Sequence, residues 1–283
     1  MNKLPKRTRN SLQKEAIQWD AAISGESSEE VQELLNNAEP FRVPRPARQP
    51  VSLRMDPRLV RRTGRIALIL DDFGYQDREL VSGFCALTQR VTFSVLPNER
   101  HSVWTAQQAT SNGHGVMVHL PMEPLDFPER DPGPCAIFAD YGEARIQTLT
   151  RQGLTAVPGA RGINNHMGSR VTEDLQATLA VLKEVGRHRF FFVDSMTSLR
   201  SVAYTLAQEL GVPSGRNVMF LDRRERTADV VGALHKLAIR ARQEGTVIAI
   251  GHAKKNTLAA LQDVLPELEA EGFEFIKAED AVQ

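Results

Sequence analysis

Metal-ligating and proton-carrying side chains recur in this 283-residue chain at one kind of place, the end of a short apolar run. Ile69-Leu70 leads into Asp71-Asp72, Val118 into His119, and Ile163 into Asn164-Asn165-His166. Further on, Phe192-Val193 leads into Asp194-Ser195, Leu221 into Asp222, and Ile248–Gly251 into His252. Two adjacent carboxylates repel unless a cation or a proton compensates them, so Asp71-Asp72 asks for one. Aspartates and histidines together suit a metal site with mixed oxygen and nitrogen ligands and one side open to water. That donor set fits Zn2+, with manganese, iron or cobalt as substitutes. Each residue also has a plainer reading. Asp194 and Asp222 could cap a following helix or order a turn, and a lone histidine at a strand end is commonly structural. His101, His114, His188 and His235 lie in loop-like or helix-like segments and are read as surface residues.

These residues can act together only if the fold gathers them. From Arg65 onward, apolar runs alternate with amphipathic stretches. The expected strands are Ile66–Leu70, Val91–Leu96, Val116–His119, Gly159–Ile163, Phe190–Val193, Val218–Leu221, Val247–Ile250 and Phe273–Ile276. Helices are expected near 77–88, 101–112, 141–153, 172–186, 199–211, 227–244 and 256–271, several closing on a glycine (Gly113, Gly186, Gly211, Gly245, Gly272). About eight strand–helix units predict a parallel sheet with helical crossovers, closed or nearly closed into a (β/α) barrel. A doubly wound open sheet is the alternative, but no GxGxxG follows the first strand. In a barrel the carboxyl ends of all strands share one face. Asp71, Asp72, His119, His166, Asp194 and His252 are therefore expected to line one pocket.

Residues 1–64 read differently. Pro40, Pro44, Pro46, Pro50 and Pro57 exclude a helix over that stretch, and the segment is read as a basic tail or linker ahead of a domain at 65–283. Lys+Arg and Asp+Glu both number 35, which leaves no net charge to draw the chain onto nucleic acid. The two cysteines, Cys85 and Cys135, exclude a disulfide scaffold and a cysteine-built zinc site. No run approaches the roughly 18 apolar residues of a membrane span, and the N-terminus lacks the apolar core of a secretory signal. The chain thus reads as soluble, and by default cytoplasmic. Its oligomeric state is left open.

The segments IALILDDFGY, VTFSVLPN, VMVHLPMEP, GINNHMGSR, FFFVDSMTS, FLD and VIAIGH, in this order, closely resemble the divergent polysaccharide deacetylases, a distant branch of the NodB-like carbohydrate esterases. The resemblance covers about residues 65–278. It implies a distorted (β/α) barrel of seven or eight parallel strands with a metal site at the strand ends. By the family's Asp-Asp motif, Asp71 corresponds to the general base and Asp72 to a metal ligand. His119 matches the first histidine of a pair spaced by four, but Glu123 stands where the second is usual. NNHMGSR replaces an arginine-and-proline motif and supplies His166. The implied ligand set is Asp72, His119 and His166, with Glu123 as the alternative third ligand. Asn164, Asn165 and Arg170 of the same motif are candidates for substrate contact or alternative ligation. His252 matches the acid histidine, and Asp194 is the nearest match to the Asp that orients it.

The implied activity is metal-assisted removal of N- or O-linked acetyl groups from a polysaccharide or cell-envelope glycan. The family's usual place is the bacterial envelope. Two other readings stay open: a catalytically weak glycan-binding or envelope-organising protein on the same scaffold, and a metal-dependent phosphoesterase suggested by the Asn-His pair. The second aspartate cluster that a two-metal phosphoesterase needs is not apparent. The proline- and glycine-rich stretch from Pro121 to Tyr141 could shape a binding groove or simply pack over the barrel.

Overall fold

A computed structural model describes residues 63–283. The expectation of a tail at 1–64 therefore lies almost wholly outside the described residues. Eight parallel strands alternate with helices in the order β1 (Arg65–Phe73), α1 (Arg78–Cys85), β2 (Thr92–Val95), α2 (Ser102–Ser111), β3 (Gly115–Met122), α3 (Glu143–Ala156) and β4 (Gly162–Met167). The chain continues through α4 (Ser169–Glu173), α5 (Leu175–Arg187), β5 (Phe191–Asp194), α6 (Ala203–Glu209), β6 (Ser214–Arg216), α7 (Thr227–Glu244), β7 (Thr246–His252), α8 (Lys255–Ala270) and β8 (Glu274–Ile276). One expected helix is divided because the Asp174 side chain accepts from Ala177 N at 2.8 Å and starts α5 afresh. Gly245 ends α7 at φ 87°, a conformation costly for other residues, and turns the chain into β7. Gly186, expected to end a helix, lies inside α5.

The strands are ordered β6-β5-β4-β3-β2-β1-β7. β7 runs along one edge of β1 from Arg65 to Asp71. On the other edge, β8 pairs with Arg65–Ala67 and β2 pairs from Ile69 onward. Val218–Leu221, expected as a strand, is replaced in that role by β6, which pairs with β5. An Asx turn at Asn217, whose Oδ1 accepts from Met219 N, then swings the chain across to β7. There Val218 N donates to Ile248 O and Leu221 N to Ile250 O, which nearly closes the barrel.

Two apolar layers hold this sheet. Ala67, Ile69, Met117, Val193, Ile248 and Ile250 fill the barrel interior. Ile66, Leu68, Leu70, Val118, Ile163 and Phe192 face outward to the helices. His114, expected at the surface, is buried and accepts from Val91 N through Nδ1 while Nε2 faces Cys85 O. Among the described residues no helix is long and apolar enough to cross a membrane.

Candidate active site

β1 presents two adjacent carboxylates to one place by breaking its own alternation. Consecutive side chains of a regular strand point to opposite faces. Asp71 follows Ala67 and Ile69 inward. Asp72 would point outward, but the register with β2 slips between Leu70 and Phe73, and Asp72 adopts φ 67°. This bulge, in a left-handed conformation that Asp tolerates better than most residues, brings the second carboxylate to the mouth. Asp71 Oδ2 and Asp72 Oδ1 then lie 3.6 and 3.3 Å from the same atom, His119 Nε2.

Inward parity also supplies His119, two residues after Met117, and His252, two after Ile250. On β4, Ile163 packs outward, so Asn164 and His166 fall on the interior side. His166 Nδ1 is 3.1 Å from Asp72 Oδ1 and 3.0 Å from His119 Nε2. Asp72, His119 and His166 thus aim three donor atoms at one point. Ligands at the ordinary zinc bond lengths in a tetrahedral shell stand about 3.3 Å apart, close to the edges of this triangle. Asp72 Oδ1 is buried without a hydrogen-bond partner, a costly state that a cation relieves. The residues fit a metal.

Behind the triangle, buried Asn164 fixes both neighbours. Its Nδ2 donates to Asp71 Oδ1 at 2.9 Å, and its Oδ1 accepts from Ser94 Oγ at 2.6 Å and faces His119 Nδ1 at 2.8 Å. The opposite amide orientation would set its oxygen against the Asp71 carboxylate. His119 Nδ1 is therefore the N–H donor, and in the neutral ring Nε2 keeps its lone pair for the site. Burial raises the Asp71 pKa, although His119 and His252 pull the other way. Burial acts on Asp72 in the same sense, yet His119 and His166 hold it well below the usual carboxylate range. His119 is itself raised: burial opposes its charge, and Asp71 and Asp72 outweigh burial.

His252 has a carboxylate partner of its own. Its Nδ1 is 2.7 Å from Asp222 Oδ1, and its backbone N–H donates to Asp222 Oδ2 at 2.8 Å. Thr257 Oγ1 donates to the same Oδ2. Burial alone would lower the imidazole pKa, but the hydrogen bond and charge of Asp222 raise it to about 9. The ring lies nearly parallel to that of Phe220, centroids 6.1 Å apart. Asp71, Asp72, His119, His166 and His252 share one open pocket of about 540 Å³.

Residues 68–282 match the sequence profile of the divergent polysaccharide deacetylases. The chain belongs to that family. It is 32% identical over 205 residues to YibQ of Escherichia coli, covering 72% of this chain and 63% of YibQ. A Haemophilus influenzae protein is 32% identical over 204 residues, covering 72% of each chain. The chain thus spans under two thirds of YibQ's length. In fold it is similar to the crystal structure of ATU2773 from Agrobacterium tumefaciens, with a TM-score of 0.74, 21% identity, and 77% and 89% of the two chains covered.

Three expected site residues of this divergent-deacetylase-family chain stand elsewhere. Asp194 does not orient His252. Phe191 and Val193 face inward, so Asp194 falls on the outward side, where it accepts from Met196 N, Ser201 Oγ and Tyr204 N. Its plainer reading, ordering the turn after β5, is the observed one, and Asp222 has the place beside His252. Glu123 is no alternative ligand: four residues along an extended strand carry it about 13 Å beyond His119. Its carboxylate instead accepts from Ala139 N and pairs with Arg170 Nε at 3.2 Å, so Arg170 is also engaged outside the pocket. Asn164 is fully buried behind the triangle and does not line the pocket. Asn165 lines the pocket, and its Oδ1 accepts from Ser195 N.

Sequence reading missed the rim: Leu125, Arg130, Thr197, Ser198 and Phe220. None of them is a carboxylate or an imidazole at the end of an apolar run, the pattern that marked the other site residues. The signals were indirect: the proline- and glycine-rich stretch after Pro121 supplies Leu125 and Arg130, while Thr197 and Ser198 lie in FFFVDSMTS and Phe220 in FLD.

Proposed function

We propose that the pocket removes N- or O-linked acetyl groups from a polysaccharide or cell-envelope glycan, with Zn2+ or a similar divalent ion held by Asp72, His119 and His166. One observation carries this reading: a three-donor triangle shares its pocket with a further carboxylate, Asp71, and a carboxylate-paired imidazole, His252. When bound, the cation supplies Lewis acidity toward the acetyl carbonyl and toward water. Asn164 occupies Asp71 Oδ1, which leaves Oδ2 to take a proton from the attacking water. With His252 Nδ1 tied to Asp222, Nε2 is the nitrogen free to protonate the leaving amine or alkoxide. An amide needs that proton more than an ester, because an amine leaves poorly without it.

The test is acetate release from an acetylated glycan by the intact chain. A strong chelator should abolish release, and Zn2+ should restore it at about one equivalent. Glycan binding by metal-loaded protein without acetate release would make the pocket a binding site and remove the hydrolase reading.

The buried amide gives a second expectation. Asn164→Ala leaves His119 Nδ1, Ser94 and one Asp71 oxygen without their partner. Loss of such an outer-shell contact typically weakens metal binding by about 10–100-fold, and each orphaned polar group costs about 1–3 kcal/mol. Chelator-competition titration and thermal melts should show both effects. Unchanged metal affinity would confine Asn164 to a packing role.

A further inference from the structure

Across Phe220 from the active pocket lies a second cavity of about 350 Å³. Met219, Phe220 and Leu221 line it from the segment beside β7, Arg223 and Arg224 from the following loop, and Lys236 from α7. Phe220 lines both cavities. The Arg223 guanidinium carbon is 5.5 Å from the centroid of its ring, and the His252 ring lies alongside the same ring.

The charges of this segment are unevenly matched. Each carboxylate between 222 and 244 already has a basic partner: Asp222 with His252, Glu225 with Lys254, Asp229 with Arg226, and Glu244 with Arg240. Arg242 in turn pairs with Glu271. Among the described residues, the cations left without a carboxylate partner in that stretch are Arg223, Arg224 and Lys236, and all three line the cavity. Asp229, its one acidic lining residue, accepts from Arg226 Nε at 2.8 Å and Nη2 at 3.0 Å. An apolar wall with a few converging charges is the usual make-up of a small-molecule site. Here the charges call for an anion, and guanidinium groups match the oxygens of carboxylate and phosphate.

We propose that this cavity is a subsite for a carboxylate or phosphate substituent on the same glycan chain whose acetyl group enters the neighbouring pocket. The inference rests on the glycan reading above, and it selects anionic over neutral glycans as the substrate class.

Calorimetric titration of the intact, Zn2+-loaded chain tests it with three probes: neutral chitotetraose, the same oligosaccharide oxidised to carboxylates at C6, and the same oligosaccharide phosphorylated at C6. At low ionic strength at least one anionic form should bind about tenfold more tightly than the neutral one, and the two anionic arms tell carboxylate from phosphate. The preference should shrink as salt is raised. It should vanish in Arg223→Gln/Arg224→Gln/Lys236→Gln, whose three sites are exposed, and fall partway in each single variant. Equal affinity for all three probes overturns the proposal, as does a preference that survives the triple variant. Equal displacement by short single-stranded DNA at matched charge would mark a generic polyanion patch and also overturn it. Binding, not turnover, is the readout. A charge preference without acetate release keeps the subsite and removes the hydrolase reading, acetate release without the preference does the reverse, and no binding by any probe overturns both.

Discussion

Asp71→Asn and Asp72→Asn should give opposite metal contents and similarly low activities. Asp72 Oδ1 is one corner of the donor triangle, with no hydrogen bond to replace a cation. The Asn variant keeps the shape but removes the negative charge that draws a cation, so metal occupancy and acetate release should fall together. Asp71 is not a corner. Its Oδ1 is held by Asn164 and its Oδ2 stands 3.6 Å from His119 Nε2. Asp71→Asn should therefore retain the metal and still lose about 10²–10⁴-fold in turnover, the usual worth of general-base assistance. Elemental analysis of the purified variants alongside acetate assays reads both outcomes. Equal metal loss in the two would make Asp71 a ligand and leave the reaction without its assigned base.

His252→Ala should also retain metal, and should slow an amide substrate far more than an activated ester with a good leaving group. The pH profile identifies its partner. An acid works only while protonated, so a pKa near 9 keeps His252 competent through neutral pH, with activity falling as pH rises through that value. Asp222→Asn removes the charge that sustains this and leaves burial, which acts downward, less opposed. The alkaline limb should move to lower pH by a unit or more. Asp194→Asn should leave the limb in place while destabilising the turn it holds at Met196, Ser201 and Tyr204. A limb that moved with Asp194 and not with Asp222 would reverse the assignment.

Asp194 and Asp222 show where the sequence stopped being legible. Alternating strands and helices indicated the barrel, and apolar runs ending on polar residues indicated its mouth. Which way each polar residue points depends on strand parity, and FFFVD conceals it because both faces of a buried parallel strand are apolar. Chain order held a usable clue: the extended segment ahead of α7 is the spatial neighbour of β7, so the acid beside His252 belongs to FLD and not to FFFVD. The strand ends were set too early. β4 runs on through Asn164, Asn165 and His166, since side chains facing the barrel mouth can be polar without ending the pairing. The bulge at Asp72 left no mark beyond the adjacency of two aspartates.

The double engagement of β1 governs when the mouth of the barrel can be completed during synthesis. The first strand of the domain finds its partners in β7 and β8, with Arg65 opposite both Thr246 and Glu274. Roughly 180 residues must be made before the Asp71–His252 rung can form, and pairings so distant in the chain form slowly. Until then the two aspartates hang from a strand with one edge unpaired, exposed to the wrong partner. The mouth is thus left incomplete in every nascent chain that has not yet delivered β7.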